Sequence, residues 1–286
     1  MSIFTFVRRN LKRKRVIEYI YEYDQLISVD EELSLNKVFA VDTEFDWRTT
    51  YFPKISLIQI ATKNKIFLID CLTVKPEKVL KKYFEDKEYL KIFHSVRSDT
   101  NVLSKCLKIF TKNVFDIQLA EKLITNQEIK SYGKLVNKYY GIILQKTETN
   151  SNWLKRPLTQ SQIKYAGDDV DYLIEIYNLQ KKILLKSNNL VNAMKVSKKE
   201  SNLGNKSLKE LRVKKNANKF SFRDKQIFIW REEIAEEDNV PPAFIFKDKY
   251  INKLSKISSK DKSSKSQIMT IIGDSRITEK FISELL

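Results

Sequence analysis

Asp42 and Glu44 stand two residues apart where an apolar run ends, in the stretch "FAVDTEFDW" at positions 39–47, and Asp46 follows them. Residues i and i+2 of a strand point to the same face, so the first two carboxylates project together near the strand's end. Strand interiors normally exclude such groups, because a buried carboxylate is costly unless it is paired. A hard cation with oxygen ligands would offset that cost. One D-x-E pair is weak evidence, since short acidic pairs occur by chance at many strand ends. Two later stretches add weight. "IFHSVRSDTNVL" sets Asp99 shortly after an apolar strand, at the opening of a helix, and "KYAGDDVDYL" sets Asp169 four residues after Tyr165. Positions i and i+4 are neighbours one helical turn apart, which lets the phenol and the carboxylate reach one point in space.

Bringing such distant positions together needs a scaffold. "KVFAVDTEF", "KISLIQIAT" and "KIFLID" each read as a short β-branched strand bounded by polar turn residues, which predicts an antiparallel meander. Residues 17–30 suit an edge strand followed by a short helix. After the meander, residues 76–88 read as helix, "LKIFHS" as strand and residues 98–107 as helix, an alternation that predicts a mixed α/β core. Residues 131–140 and 160–186 read as further helices. Thr159 lies three residues before Gln162, the spacing of a capping box, and starts a helix at Gln160. Ile163, Ala166, Val170, Leu173 and Tyr177 follow as a core-facing stripe, with Tyr165 and Asp169 beside it.

From 191 to 219 aromatics give way to Lys, Asn and Ser, marking a boundary or a charged bridging helix. Aromatics then return, and Phe228, Trp230 and Ile234 line a helix that ends before Pro241. The expected organisation is a basic arm at 1–15, an α/β domain at 16–190, a basic linker or bridging helix at 191–219 and a small all-α module at 220–286.

The chain has 286 residues, 42% of them hydrophobic, enough to bury a core. Its 53 Lys and Arg against 36 Asp and Glu leave +17. Residues 8–15, 195–219 and 247–265 carry net charges of +6, +7 and +5, so the rest is near neutral. Such stretches are either solvated surface or contacts for a polyanion such as nucleic acid. Cys71 and Cys106 are the only cysteines and His94 the only histidine, which supports neither a disulfide framework nor a zinc site and fits a reducing, cytoplasmic compartment. No apolar run approaches the ~20 residues of a membrane span. The N-terminus lacks the apolar core of a signal peptide, and its basic, acid-free first stretch lacks the Ser-rich character of a transit peptide.

D-x-E on a strand, a later Asp in an H-x-x-x-x-D context and Y-x-x-x-D on a following helix resemble the three motifs of the DEDD superfamily of 3′ to 5′ exonucleases, in its tyrosine-containing branch. "VDTEF", "SLIQIA", "VFDIQLAEKL", "NWLKRPLTQSQIKYAGDDVDYL" and "WREEIAEEDNVP" narrow the resemblance to ribonuclease D, including its helicase-and-RNase-D C-terminal (HRDC) domain. The likeness runs from about Val38 to Tyr177 and resumes near Phe220.

The resemblance implies a ribonuclease H-like domain with a mixed five- to six-stranded sheet and helices on both sides, followed by one HRDC-like module. It implies a two-metal-ion hydrolase in which two divalent cations, Mg²⁺ or Mn²⁺, lie about 3.5–4 Å apart and promote in-line displacement at a phosphodiester. By carry-over, Asp42, Glu44 and Asp169 hold the first ion. Asp42 bridges to the second with help from Asp99, and Tyr165 orients the attacking water. The implied activity is 3′-5′ exoribonuclease trimming of RNA 3′ ends, tRNA precursors among them, by a monomer that releases nucleoside 5′-monophosphates. A DNA exonuclease of repair or proofreading is the alternative, since nothing in these residues senses a 2′-hydroxyl. An inactive nucleic-acid-binding scaffold is a third reading, which would predict a lost carboxylate.

Phe45, His94, Trp153 and Arg156 are candidate substrate contacts, each with a structural alternative: core filling for Phe45, a strand-end role for His94, packing of the irregular loop for Trp153 and Arg156. Asp116 reads as a helix N-cap. Asp46, Asp168 and Asp171 read as solvated or supporting acids. The chain departs from the family in its longer basic arm, its single HRDC-like module and the lone glycine of "IIGDSRI".

Overall fold

The computed structural model describes residues 15–128, 130–145, 147–216, 218–258 and 260–286. The expected arm lies outside them, Arg15 excepted. The chain divides into two compact units, one of residues 1–46 and 54–205, the other of residues 47–53 and 206–286.

In the first unit, β1 (Val16–Ile20), α1 (Leu26–Leu35), β2 (Val38–Asp46), β3 (Lys54–Ala61), β4 (Lys65–Asp70), α2 (Glu77–Phe84), β5 (Leu90–Phe93), α3 (Val96–Leu107), β6 (Val114–Asp116) and α4 (Ile117–Thr125) follow in turn. Helices α5 (Tyr132–Tyr140), α6 (Gln160–Asp171), α7 (Leu173–Lys186) and α8 (Leu190–Gly204) complete it. The six strands form one sheet in the order β1-β4-β3-β2-β5-β6. β2, β3 and β4 pair antiparallel, as the meander pattern predicts, and the remaining pairs are parallel.

Alternation along β2 explains its acids. Phe39 and Val41 enter a core with Leu33 of α1, Phe84 of α2 and Leu103 of α3, while Ala40 enters the opposite core with Ala166, Val170 and Ile176 of α6 and α7. Asp42 and Glu44 share the parity of Ala40 and face α6; Thr43, between them, faces α3. Pairing of β2 with β5 stops at Ala40, so the half carrying the acids runs past the end of β5. Buried apolar side chains on both sides of the sheet make this the mixed sheet between helix layers that the strand and helix alternation predicts.

Thr159 caps α6 as its spacing requires: its hydroxyl accepts from the Gln162 amide, and Gln162 returns a bond to the Thr159 N–H. The predicted stripe is inward, with Ala166, Val170, Leu173 and Tyr177 buried and Ile163 packed against them. Helix α8 occupies part of the stretch expected to be a linker or a bridging helix. It packs on α3 through the small residues Ser197, Ser201 and Gly204, and a Cβ on Gly204 would sit 2.1 Å from Thr100 Oγ1.

The second unit contains α9 (Leu208–Asn216), α10 (Phe222–Glu237), α11 (Pro242–Ile245), α12 (Ile251–Ser255), α13 (Ser264–Ile272) and α14 (Ser275–Leu285). Ser221 and Asp224 form a capping box for α10. Phe228, Trp230 and Ile234 are buried with Ile251, Ile268 and Phe281. Gly273, at φ 76°, ends α13, and Asp274 caps α14 by accepting from the Ile277 amide at 2.8 Å. The lone glycine of "IIGDSRI" thus occupies the left-handed position that favours glycine.

Candidate active site

Three of the four predicted acids converge. One carboxylate oxygen from each of Asp42, Glu44 and Asp169 lies within 4.8 Å of the other two. With Tyr165, His94 and Tyr132 they line a cleft of about 340 Å³ in the first unit. Their elements explain the meeting: β2 delivers two acids on one face, and α6 lies across that face with Tyr165 and Asp169 one turn apart.

Asp99 is set differently. It is 3% exposed in the first turn of α3, and its Oδ1 accepts from the Thr43 hydroxyl at 2.7 Å. The start of α3 is fixed by Asp116. That carboxylate accepts from the Val96 and Ser95 amides at 2.9 and 3.2 Å, and also caps α4 by accepting from Gln118 and Leu119. Ser95 takes a left-handed conformation, φ 68°, to turn the chain into α3. The N-cap read at Asp116 serves two helices.

The electrostatics are those of crowded, partly dehydrated acids. Burial, then the neighbouring Asp99 charge, pushes the Asp42 carboxyl well above the usual carboxylate range. Burial, then the charges of Asp42, Asp169 and Asp99, raises Glu44 to about 10. Asp99 is also raised, by burial against the opposing Thr43 hydrogen bond. Burial and the Asp169 charge raise the Tyr165 phenol, whose oxygen lies 3.3 Å from the Thr149 hydroxyl. Tyr165 therefore stays protonated and can donate, but cannot act as a base near neutrality.

Three convergent carboxylates, with proton affinity raised at Asp42 and Glu44, fit a hard divalent cation, which would replace those protons and relieve the repulsion. The donor set has no thiolate or imidazole and so suits Mg²⁺ or Mn²⁺ better than a softer metal.

The other candidates separate. His94 lines the cleft, with Nε2 3.1 Å from the Lys130 carbonyl and 3.1 Å from Gln118 Nε2. Phe45, Trp153 and Arg156 do not line it. Trp153 is buried in the core against Tyr165, ring centres 6.0 Å apart. Arg156 grips the buried Asp70 with two bonds of 2.5 and 2.7 Å and also reaches Ser56. A register shift between β2 and β3 leaves Ser56 outside the cross-strand pairing, and its hydroxyl bonds the Trp153 carbonyl. These contacts are those of the loop packing given as the structural alternative for Trp153 and Arg156. Asp168 pairs with Lys164, Asp171 with Arg15 at 2.7 Å, and Asp46 lies beyond the register shift, opposite Lys54. Thr43 and Tyr132 escaped the sequence reading. The former was legible as the opposite-parity residue inside D-x-E; the latter had no local signal.

Residues 17–184 match the family of 3′-5′ exonucleases, and residues 224–286 match the HRDC domain. The chain belongs to the 3′-5′ exonuclease family. Within that class its similarity is to ribonucleases D, as the motifs suggested. The ribonuclease D of Desulfotalea psychrophila is 31% identical over 249 residues, covering 83% of this chain and 65% of that protein. The ribonuclease D of Xanthomonas oryzae pv. oryzae is 35% identical over 151 residues, 53% of this chain and 42% of that one. The chain thus spans less than two thirds of the length of these relatives. Among solved structures, Escherichia coli RNase D, described as an exoribonuclease involved in structured RNA processing, superposes with a TM-score of 0.79 at 22% identity, covering 94% of this chain and 76% of that one. The catalytic core of RRP6 from Trypanosoma brucei gives 0.68 at 21%, covering 96% and 81%. At those identities the structural likeness concerns the fold.

Proposed function

We propose that this chain is a metal-dependent 3′-5′ exoribonuclease that removes nucleoside 5′-monophosphates from RNA 3′ ends, tRNA precursors among them. The observation that carries the reading is the convergence of the Asp42, Glu44 and Asp169 oxygens beside Tyr165 in one cleft. Asp42, Glu44 and Asp169 would hold one divalent ion, and Asp42 with Asp99 a second, Mg²⁺ or Mn²⁺. When bound, such ions supply Lewis acidity toward the phosphoryl oxygens and the attacking water. The chain's own contribution is positional. β2 fixes the spacing of two ligands, Thr43 holds Asp99, and the protonated Tyr165 hydroxyl orients the water by a hydrogen bond.

RNA rather than DNA is supported by the ribonuclease D relatives. The basic stretches 195–219 and 247–265 would neutralise backbone phosphates. We place catalysis in the exonuclease domain and phosphate contact in these stretches and the HRDC domain, in a monomer acting in the cytoplasm. No helix among the described residues is long and apolar enough to cross a membrane.

The test is digestion of 3′-labelled RNA and of a matched DNA strand with Mg²⁺ or Mn²⁺, with product sizing, beside Asp42→Asn. Mononucleotides released from RNA by the parent chain alone are expected. Equal activity of Asp42→Asn would remove the metal assignment, and preference for DNA would replace the substrate.

A further inference from the structure

We infer that Tyr132 is a positioning residue of the metal site, acting through the backbone turn that carries Asp169; this rests on the reading above, in which Asp42, Glu44 and Asp169 hold a divalent cation. Helices α6 and α7 follow one another directly but are broken at Tyr172, whose φ of −108° and ψ of 0° leave the helical region. In an unbroken helix the Tyr172 N–H would donate to the Asp168 carbonyl. Here the Tyr132 hydroxyl stands between them. The Tyr172 N–H donates to its oxygen at 3.1 Å, and the hydroxyl donates to the Asp168 carbonyl at 3.1 Å. A side chain inserted into the helical ladder is a physical cause of a kink.

The turn bracketed by these two bonds contains Asp169. The hydroxyl is held in place, because the ring is buried along the cleft, 5.8 Å from the His94 ring. The break is also fixed from its far side, where Arg15 donates to the Asp171 carbonyl and carboxylate. Without the Tyr132 oxygen, only the Arg15 contacts and the bond from the Tyr172 N–H to the Val170 carbonyl would oppose direct pairing of the Asp168 carbonyl with the Tyr172 N–H. The ladder would then close, and Asp169, next to Asp168, would turn away from the β2 acids. Groups that orient metal ligands in this way typically change affinity or activity about 10–100-fold when removed.

The test uses Tyr132→Phe, which deletes the oxygen and keeps the ring. Mn²⁺ affinity by calorimetry should weaken about tenfold or more, and kcat on a labelled oligoribonucleotide should fall as much with KM unchanged. Tyr139→Phe, on the same helix, removes a buried hydroxyl bonded to Glu121 at 2.6 Å and serves as the control for lost stability. It should keep parental Mn²⁺ affinity. Affinity in Tyr132→Phe no weaker than in Tyr139→Phe overturns the inference. Asp169→Asn separates the layers: if it loses Mn²⁺ binding while Tyr132→Phe does not, only the positioning role fails; if it binds normally, the metal reading fails first. In the parental chain, exchange of the Tyr172 amide should slow about tenfold at Mg²⁺ ten times its dissociation constant, because opening the turn would break the site. No slowing overturns the inference even if Tyr132→Phe does not fold.

Discussion

The Thr43 hydroxyl donates to Asp99 Oδ1 at 2.7 Å, so the residue between Asp42 and Glu44 reaches to the other side of β2 and holds the fourth acid. The strand's two-residue repeat sends Asp42 and Glu44 toward α6 and Thr43 toward α3. Asp99 therefore depends on the same strand as the acids it accompanies. Thr43→Val keeps the shape and removes the donor. It should cost about 1–2 kcal/mol of stability and lower kcat about tenfold. Unchanged turnover would show that Asp99 needs no fixing.

Glu44→Gln probes the crowding. A carboxyl raised to about 10 from an ordinary 4.5 binds a proton in the folded chain that the unfolded chain has lost. Metal-free stability should therefore fall as pH rises between those values, by at most about 1.4 kcal/mol per pH unit for this one group. Glu44→Gln removes that slope. Parent and variant should melt alike near pH 5, and the variant should be the more stable near pH 9. Parallel melting profiles at both pH values would mean that Glu44 is already ionised in the metal-free fold.

The same protons must leave when a cation enters. Mn²⁺ affinity should rise with pH, up to about tenfold per unit for each proton released, and flatten once the acids ionise. Calorimetry in buffers of different ionisation enthalpy would count the protons. Affinity independent of pH through the neutral range would contradict the raised Asp42 and Glu44 carboxyls.

Arg156 gives a prediction against its reading as a substrate contact. Burial raises the Asp70 carboxyl, but the hydrogen bonds from Arg156 and Tyr19 outweigh it and hold the group below its ordinary range. Stability from this pairing is thus present above the ordinary carboxylate pKa and lost on acidification below it. Arg156→Met strands Asp70, 1% exposed, without its cation and should cost about 3 kcal/mol. Adding Asp70→Asn should restore part of that. A large rise in KM for RNA at undiminished stability would return Arg156 to the substrate.

What the sequence revealed follows from the range of each interaction. Two-residue parity set the side of Asp42 and Glu44, and the three-residue span from Thr159 to Gln162 set the start of α6, so both were readable locally. Arg156 and Asp70 lie 86 positions apart, and no local pattern pairs them. Tyr132 and Tyr172 are 40 apart, and a tyrosine in an apolar stripe reads as core whether or not its hydroxyl enters a neighbouring helix. The stretch from 191 left a boundary and a bridging helix both open because its buried face is Ala193, Ser197, Ser201 and Gly204, residues too small to register as apolar.

That face gives the last prediction. Asp116 N–H donates to the Ser197 hydroxyl at 3.0 Å, and Asn101 donates to the Gly204 carbonyl at 2.8 Å, so α8 touches both the cap of α3 and its second turn. Gly204 permits this approach: a Cβ there would lie 2.1 Å from Thr100 Oγ1 and 2.5 Å from the Arg97 carbonyl. The second neighbour is backbone and cannot rotate away, so α8 would have to withdraw from the turn that carries Asp99. Alanine gains about 1 kcal/mol of helix propensity over glycine, but the overlap should outweigh it. Gly204→Ala is expected to lose about 1–3 kcal/mol by chemical denaturation. Its kcat should fall beyond what the unfolded fraction explains, because Asp99 moves with α3. Parental stability would mean that α8 can shift without loss, and that the packing of its small-residue face does not constrain the acid.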